Sequence, residues 1–321
     1  MGRRLMLPAF RNLAALGILL LLAACNLPSP EASPVLTAAP SGEPRLTEMP
    51  AGGGALSITE AAPTQAVPAE PSPPLSTLQN VRIELPDTGA VILQEGRFIA
   101  GETRVVLDEV AAEGNLGAAV VYVNLGGSGN FAYLLTFAVQ EGRFVQQGAA
   151  VFLEDRPEIR SLKVAEGRIL VDATVHWADE PFCCPTKHVL LTFLPTEWGT
   201  LLERVSTFTP EGTERRIALS APANFAEVVA PVQVAGRVSV MPFENTLTYR
   251  YATPDGLKVL EEGGFMAQPD DPDTMGGAGS FSAALPAPPV SPYADVQLQI
   301  LEISMRDGSV LAMDSVWLTV K

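Results

Sequence analysis

Among the 321 residues, the side chains best suited to chemistry cluster around two adjacent thiols, Cys183 and Cys184, followed by Pro185 and flanked by the chain's only histidines, His176 and His188. Thiolate sulfur and imidazole nitrogen are zinc ligands, and a pair of thiols is also a two-electron redox couple. Neighbouring Cα atoms lie about 3.8 Å apart, below the usual disulfide range of roughly 4.4–6.8 Å, so a bond between Cys183 and Cys184 would distort the intervening peptide. Neighbouring side chains on an extended segment point to opposite faces, so both sulfurs would join the histidines around one tetrahedral ion only at a sharp bend. Three states stay open for the pair, in this order: a vicinal disulfide, unpaired thiols, a metal site. If the flanking strands form a hairpin centred near Phe182, His176 and His188 face each other across it. No suitably spaced serine or carboxylate accompanies them, so no triad is read.

Other motifs fall short of a site. Gly126-Gly127-Ser128-Gly129 resembles a nucleophile elbow, but Asn130 stands where the second glycine is needed and the flanks read as two strands. Asp108-Glu109 continues into Val110, Ala111 and Ala112, which occupy positions a calcium loop fills with oxygen ligands. Asp270-Asp271-Pro272-Asp273 suits a solvated loop, and Met275-Gly276-Gly277-Ala278-Gly279 lacks the strand-to-helix context of a phosphate loop. No catalytic residue, cofactor or metal ligand is assigned.

The elements that must position these residues are strands. Over 79–206 short apolar runs, such as Ala119-Val120-Val121-Tyr122-Val123 and Phe131-Ala132-Tyr133-Leu134-Leu135-Thr136-Phe137, are β-branched or aromatic and too short to favour helices. Glu95-Gly96-Arg97, Glu141-Gly142-Arg143 and Glu166-Gly167-Arg168 carry glycine where tight turns want positive φ. A β-rich meander follows, with at most one short helix near 196–204. A link at 209–213 leads to a second region, 216–321, where six or seven short alternating strands read as a two-sheet sandwich with a core on Phe243, Tyr249, Phe281 and Trp317.

The N-terminus differs in kind. Arg3, Arg4 and Arg11 precede an apolar run too short to span a bilayer, which ends in Leu22-Ala23-Ala24-Cys25. This order resembles the lipobox of bacterial lipoproteins. The resemblance implies a signal peptide over 1–24, lipidation of Cys25 and an extracytoplasmic protein held on the cell membrane by its acyl chains. Residues 26–78 hold 11 of the 28 prolines and no aromatic residue, so 25–78 reads as a lipidated cysteine followed by a disordered, partly polyproline-II tether. Loss of the three leader arginines takes the formal charge from −15 to −18, which argues against nucleic acid as a partner.

Residues 79–206 resemble a β-rich domain of bacterial exported proteins through the GGSG turn, the Leu153-Glu154-Asp155-Arg156 segment and Cys183-Cys184-Pro185-Thr186. Ala111-Ala112-Glu113-Gly114-Asn115 stands where that likeness implies an aspartate-rich loop, so no ion site is expected there. Residues 216–321 resemble the immunoglobulin-like domain associated with bacterial spore germination, through Ala230-Pro231-Val232-Gln233-Val234-Ala235-Gly236, Gly279-Ser280-Phe281 and the run from Leu301 to Ser309. The fold class expected is all-β: a lipid-anchored disordered linker, a β-rich meander domain and an immunoglobulin-like β-sandwich. The function expected is a non-enzymatic cell-envelope lipoprotein that presents two β-domains to a protein or glycan partner. The alternative is a redox- or metal-responsive module centred on Cys183, Cys184, His176 and His188, and a hydrolase ranks third.

Overall fold

The structure, a computed structural model, describes residues 72–274 and 276–321. The leader, Cys25 and most of the tether lie outside the described residues. The folded part starts earlier than the expected boundary at 79: a 3₁₀ turn spans Leu75–Asn80, and its Leu78 is fully buried.

Two strands, β1 (Arg82–Leu85) and β2 (Gly89–Ile92), form a small layer of their own. Five more make an antiparallel meander in chain order: β3 (Arg97–Ala100), β4 (Thr103–Glu113), β5 (Leu116–Leu125), β6 (Phe131–Gln140) and β7 (Arg143–Asp155). Of these, β5 and β6 are covered on both faces, which explains why they read as continuous apolar runs rather than alternating ones. Ala119, Val121 and Val123 pack under the β1–β2 layer with Leu78, Ile83 and Leu85, while Ala118 and Val120 point the other way.

That other face meets β8 (Glu158–Ala165), β9 (Arg168–Val175), β10 (Lys187–Thr196) and β11 (Gly199–Phe208) through Leu162, Ile169, Val171, Val189 and Phe193. Each large aliphatic side chain buried here contributes about 1.5–3 kcal/mol. The glycine turns behave as expected: Glu141 and Gly142 have φ of 49° and 70°, and Glu166 and Gly167 have 54° and 73°, the positive pair a two-residue hairpin requires. The short helix expected near 196–204 is absent, because Thr196 pairs with Gly199 and the segment is the β10–β11 hairpin. Thr196 Oγ1 donates to the Gly199 carbonyl at 3.0 Å and accepts the Trp198 N–H at 3.1 Å, which closes the turn.

After β12 (Glu214–Arg215), the second region supplies β13 (Ile217–Ala221), β14 (Ala226–Val228), β15 (Val232–Val238), β16 (Thr246–Ala252), β17 (Val259–Met266), β18 (Gln268–Pro269), β19 (Gly279–Leu285), β20 (Asp295–Ile303) and β21 (Val310–Val320). One sheet runs β13-β15-β19-β18, and it packs on the sheet containing β17-β16-β20-β21 around Val234, Leu247, Tyr251, Phe281, Leu298 and Ile300. Tyr249, Phe281 and Trp317 are buried as expected, but Phe243 is 64% exposed at a 3₁₀ turn.

The two regions keep separate apolar cores, but they are joined by more than the link at 209–213. The sheet β17-β16-β20-β21 continues through β11 into β10-β9-β8, giving one ten-stranded sheet that serves both sandwiches. Arg204, Val205 and Ser206 of β11 pair with Asp314, Met313 and Ala312 of β21. Polar side chains lock this seam from both sides. Gln297 Nε2 donates to the Leu202 carbonyl at 3.1 Å, Ser315 Oγ donates to the Glu203 carbonyl at 2.9 Å, and Thr207 Oγ1 donates to the Leu311 carbonyl at 2.7 Å. Asp314 accepts from Arg204 Nε at 3.3 Å and from the Leu219 N–H at 2.8 Å, and Glu302 accepts from Arg215 at 2.5 Å.

Burial pushes the Asp314 and Glu302 carboxyls above their ordinary range, against the pull of Arg204 and Arg215. Both therefore hold protons more readily in the folded chain than in the unfolded one, and their contribution to stability falls as pH rises past the ordinary carboxylate range. Two outcomes follow. A protease site inserted at 209–213 and cut leaves the two fragments co-eluting on gel filtration without denaturant; separate elution would contradict the shared sheet. Asp314→Ala, which leaves the Leu219 N–H without its partner and frees the part-exposed Arg204, lowers stability in denaturant unfolding by about 1–3 kcal/mol.

Candidate functional site

The three motifs of the first region, distant in sequence, meet at one end of the molecule. The β5–β6 loop is folded on Asn124, whose Nδ2 donates to the Gly127 and Gly129 carbonyls at 3.1 and 2.6 Å and whose Oδ1 accepts the Gly126 N–H at 3.0 Å. Ser128 therefore sits in a side-chain-braced hairpin loop and not on a nucleophile elbow. The end of β7 closes against it: Asp155 accepts the Asn130 N–H at 2.8 Å, and the Arg156 N–H donates to the Asn130 carbonyl at 2.8 Å. Burial works to raise the Asp155 carboxyl, but Arg156 at 2.8 Å and the Asn130 N–H outweigh it and hold the group below its usual range. The Arg156 guanidinium lies 5.8 Å from the centre of the Phe182 ring, which carries the contact onward to the thiol loop.

Glu180 organises that loop. Its carboxylate accepts the Trp177 N–H at 3.0 Å, the Thr186 N–H at 3.1 Å and the Thr186 hydroxyl, and these bonds, the hydroxyl first, hold it below the ordinary carboxylate range. Thr186 thus has a structural task in the Cys183-to-Thr186 motif: it ties the loop's return to its start. Cys184 N–H donates to the Pro181 carbonyl at 3.2 Å, which makes the turn that presents both sulfurs. Both cysteines are exposed, and their sulfurs are not bonded to each other in this structure. A hydrogen bond with Cys183 pushes the Cys184 thiol above its ordinary pKa, the opposite of what a thiolate nucleophile needs.

The histidines do not converge. The β9–β10 register sets Thr174, not His176, opposite His188. His188 bonds Asp172 through Nε2 at 2.8 Å and stacks on Phe208 with ring centres 4.3 Å apart. His176 packs edge-on against Phe182 at 6.0 Å, with both ring nitrogens buried and unpartnered. Among the described residues no three His, Cys, Asp or Glu side chains gather in a way that would hold an ion. The acidic 270–273 loop folds on itself, with Asp271 accepting from the Asp273 N–H and the Thr274 hydroxyl and Asp270 pairing with Arg237.

The loop's second neighbour comes from the other sandwich, and no local pattern in either segment points to it. Lys187, 7% exposed, crosses the seam to donate from Nζ to the Val310 carbonyl at 2.9 Å and to Ser309 Oγ at 3.1 Å. Burial lowers its pKa. Its ammonium lies 4.8 Å from the centre of the Trp177 ring, and the Arg306 guanidinium lies 5.7 Å from the same ring while pairing with Asp179 at 2.7 Å. Asp307 accepts the Ala178 N–H at 3.3 Å. The β20–β21 turn is therefore part of the site. Around this frame Phe182 is 64% and Met305 74% exposed. The geometry offers apolar, sulfur and guanidinium groups on a rigid support.

The β20–β21 turn belongs to a sandwich with a family likeness. Residues 216–309 match the immunoglobulin-like domain of bacterial spore germination. The match agrees with the resemblance read from the sequence, and this domain is of a non-catalytic type. It ends within the turn that grips Trp177 and Ala178, so β21, the seam strand, lies beyond it. No curated protein and no solved structure matches the chain.

Burial works to raise the Asp307 carboxyl, but hydrogen bonds from Ser304, Ser309 and the Ala178 N–H carry it well below the ordinary range. A lowered carboxyl contributes stability that is complete above its unfolded pKa, about 3.9, and is lost as pH falls below it. The wild-type advantage in Tm over Asp307→Asn should therefore be constant from pH 7 to 5 and shrink only in stronger acid. An advantage that shrinks already near pH 6 would assign it to another group.

Proposed function

We propose that the protein is a non-enzymatic lipoprotein of the bacterial cell envelope, anchored in the membrane through Cys25, which holds its fused β-sandwiches out on the proline-rich segment between Cys25 and the 3₁₀ turn at Leu75 to bind a protein or glycan partner. The observation that carries the reading is the four-segment end of the molecule. There the β5–β6 loop, the end of β7, the thiol loop and the β20–β21 turn are cross-bonded into a rigid support while Phe182 and Met305 stand exposed beside Arg156 and Arg306. Exposed aromatic, methionine and arginine side chains on a fixed frame are what binding hot spots are made of. The family likeness of residues 216–309, to an immunoglobulin-like domain of non-catalytic type, supports the non-enzymatic reading.

The adjacency of two exposed thiols favours a second reading, a redox-responsive surface. In that reading a disulfide oxidant takes two protons and two electrons from Cys183 and Cys184, is itself reduced to a dithiol, and leaves a strained vicinal bond. Mass loss of two hydrogens in the peptide bearing both cysteines, purified without reductant, supports it; quantitative alkylation of both thiols rejects it.

Cys25→Ala should move the protein out of the membrane fraction or leave it unprocessed. A processed variant that stays on the membrane would end the lipoprotein reading. A photoreactive residue at position 182 should crosslink one discrete envelope partner, whereas the same residue at Glu166, at the far end of β9, should not. Phe182→Ala should then weaken binding of that partner by about 30-fold, the size of a 2 kcal/mol hot spot. Identical products from positions 182 and 166 would remove this end of the molecule as the binding surface.

A further inference from the structure

At the opposite end of β7 the fold leaves a layer unfinished. The β1–β2 layer has two strands and lies over a sheet of five whose last strand is β7. Beside β1 is an open groove of about 870 Å³, lined by Ile83, Leu85, Phe144 and Ala150 among others, and it continues into a second of about 780 Å³ bordered by Arg82 and Arg143. β1 has a strand partner on one edge only, and its free edge faces this groove.

A single side chain occupies the place of the missing strand. Gln146, rising from β7 on the face that carries Phe144 and Ala150, accepts the Glu84 N–H on Oε1 at 2.7 Å and donates from Nε2 to the Glu84 carbonyl at 3.0 Å. Its amide makes the two bonds that a neighbouring strand's peptide would make, an antiparallel rung formed by a side chain. By the same alternation the N–H and carbonyl of Arg82 point to this free edge. Bare edges with apolar floors are where extended peptides add to a sheet, with main-chain bonds giving affinity and alternate side chains giving specificity.

We propose that this groove is a strand-addition site that takes an extended segment of a partner protein, displacing the Gln146 amide to make a third strand beside β1. The segment carries apolar side chains at alternate positions, for the floor set by Ile83, Leu85, Phe144 and Ala150. It carries an acidic group at the end that meets Arg82 and Arg143, two exposed guanidinium groups together in a chain of net charge −15. The inference stands apart from the Phe182 surface, and either can fail without the other.

The probe is an acetylated, amidated hexapeptide, Val-Thr-Val-Thr-Val-Asp, whose last residue reaches the Arg82 end of β1 when it runs antiparallel to that strand, tested on the protein by fluorescence anisotropy and by amide hydrogen exchange. Its controls are the same peptide with lysine last and one with proline at alternate positions, which cannot donate to the edge. The aspartate peptide should slow exchange of the Arg82 and Glu84 amides, the lysine peptide should bind more weakly, and the proline peptide should leave both amides unprotected. Gln146→Ala, which clears the edge, should tighten binding by about tenfold, and Arg82→Glu with Arg143→Glu, both at exposed positions, should weaken it by about tenfold. Equal protection by the proline peptide, or no protection by any peptide in either the wild type or Gln146→Ala, overturns the proposal. An affinity unchanged by Gln146→Ala overturns the role given to that side chain.

Discussion

The pairing of β11 with β21 is the constraint on which the rest of the molecule depends. It is short, three residues on each strand, yet it turns two four-strand layers into one continuous sheet. Above and below it lies an unusual density of buried polar groups, Glu203, Ser206, Thr207, Gln297, Glu302, Asp314 and Ser315, with only a small apolar patch of Val205, Leu301 and Met313. An apolar seam would tolerate sliding, because a slipped register still buries oil against oil. Here a slip would strand Asp314 from Arg204, Glu302 from Arg215 and Gln297 from the Leu202 carbonyl, each left buried without its partner. Buried ion pairs gain little net stability over apolar packing but are costly to break, so they select one register more than they add to stability.

One register of the sheet means one geometry at its end. Lys187 begins β10 and Val310 begins β21, and the Lys187 reach across to Val310 is possible only because β11 holds those strands one place apart. Trp177 then lies between a cation of each sandwich, and Asp179 and Ala178 take hold of Arg306 and Asp307. The thiol loop is thus positioned from both sides of the seam, and the exposed Phe182 and Met305 inherit a rigidity that neither sandwich would give alone.

The sequence announced the parts and not their junction. Strand content, the positive-φ glycine turns and the second sandwich were legible because each is written locally, in β-branched runs, in Glu-Gly pairs and in alternation. Position 196–204 misled because Leu201 and Leu202 carry no strand signature until Gly199 turns the chain back on β10. Phe243 misled because an aromatic residue in a sandwich usually faces the core, whereas here it sits on a 3₁₀ turn. The histidine pairing failed by the register of one hairpin: a register sum two residues smaller puts Thr174 opposite His188. The β11–β21 pairing and the contacts of Lys187 with Ser309, Arg306 with Asp179 and Asp307 with Ala178 join residues more than a hundred positions apart, and nothing in the local pattern of either segment specifies such a partner.

If the shared sheet makes one body of two sandwiches, they should also unfold as one. Scanning calorimetry of the protein should then give a single transition for the folded part, with calorimetric and van't Hoff enthalpies equal. Two resolved transitions, or a calorimetric enthalpy well above the van't Hoff value, would show that the sandwiches are independent and that the seam does not hold them together.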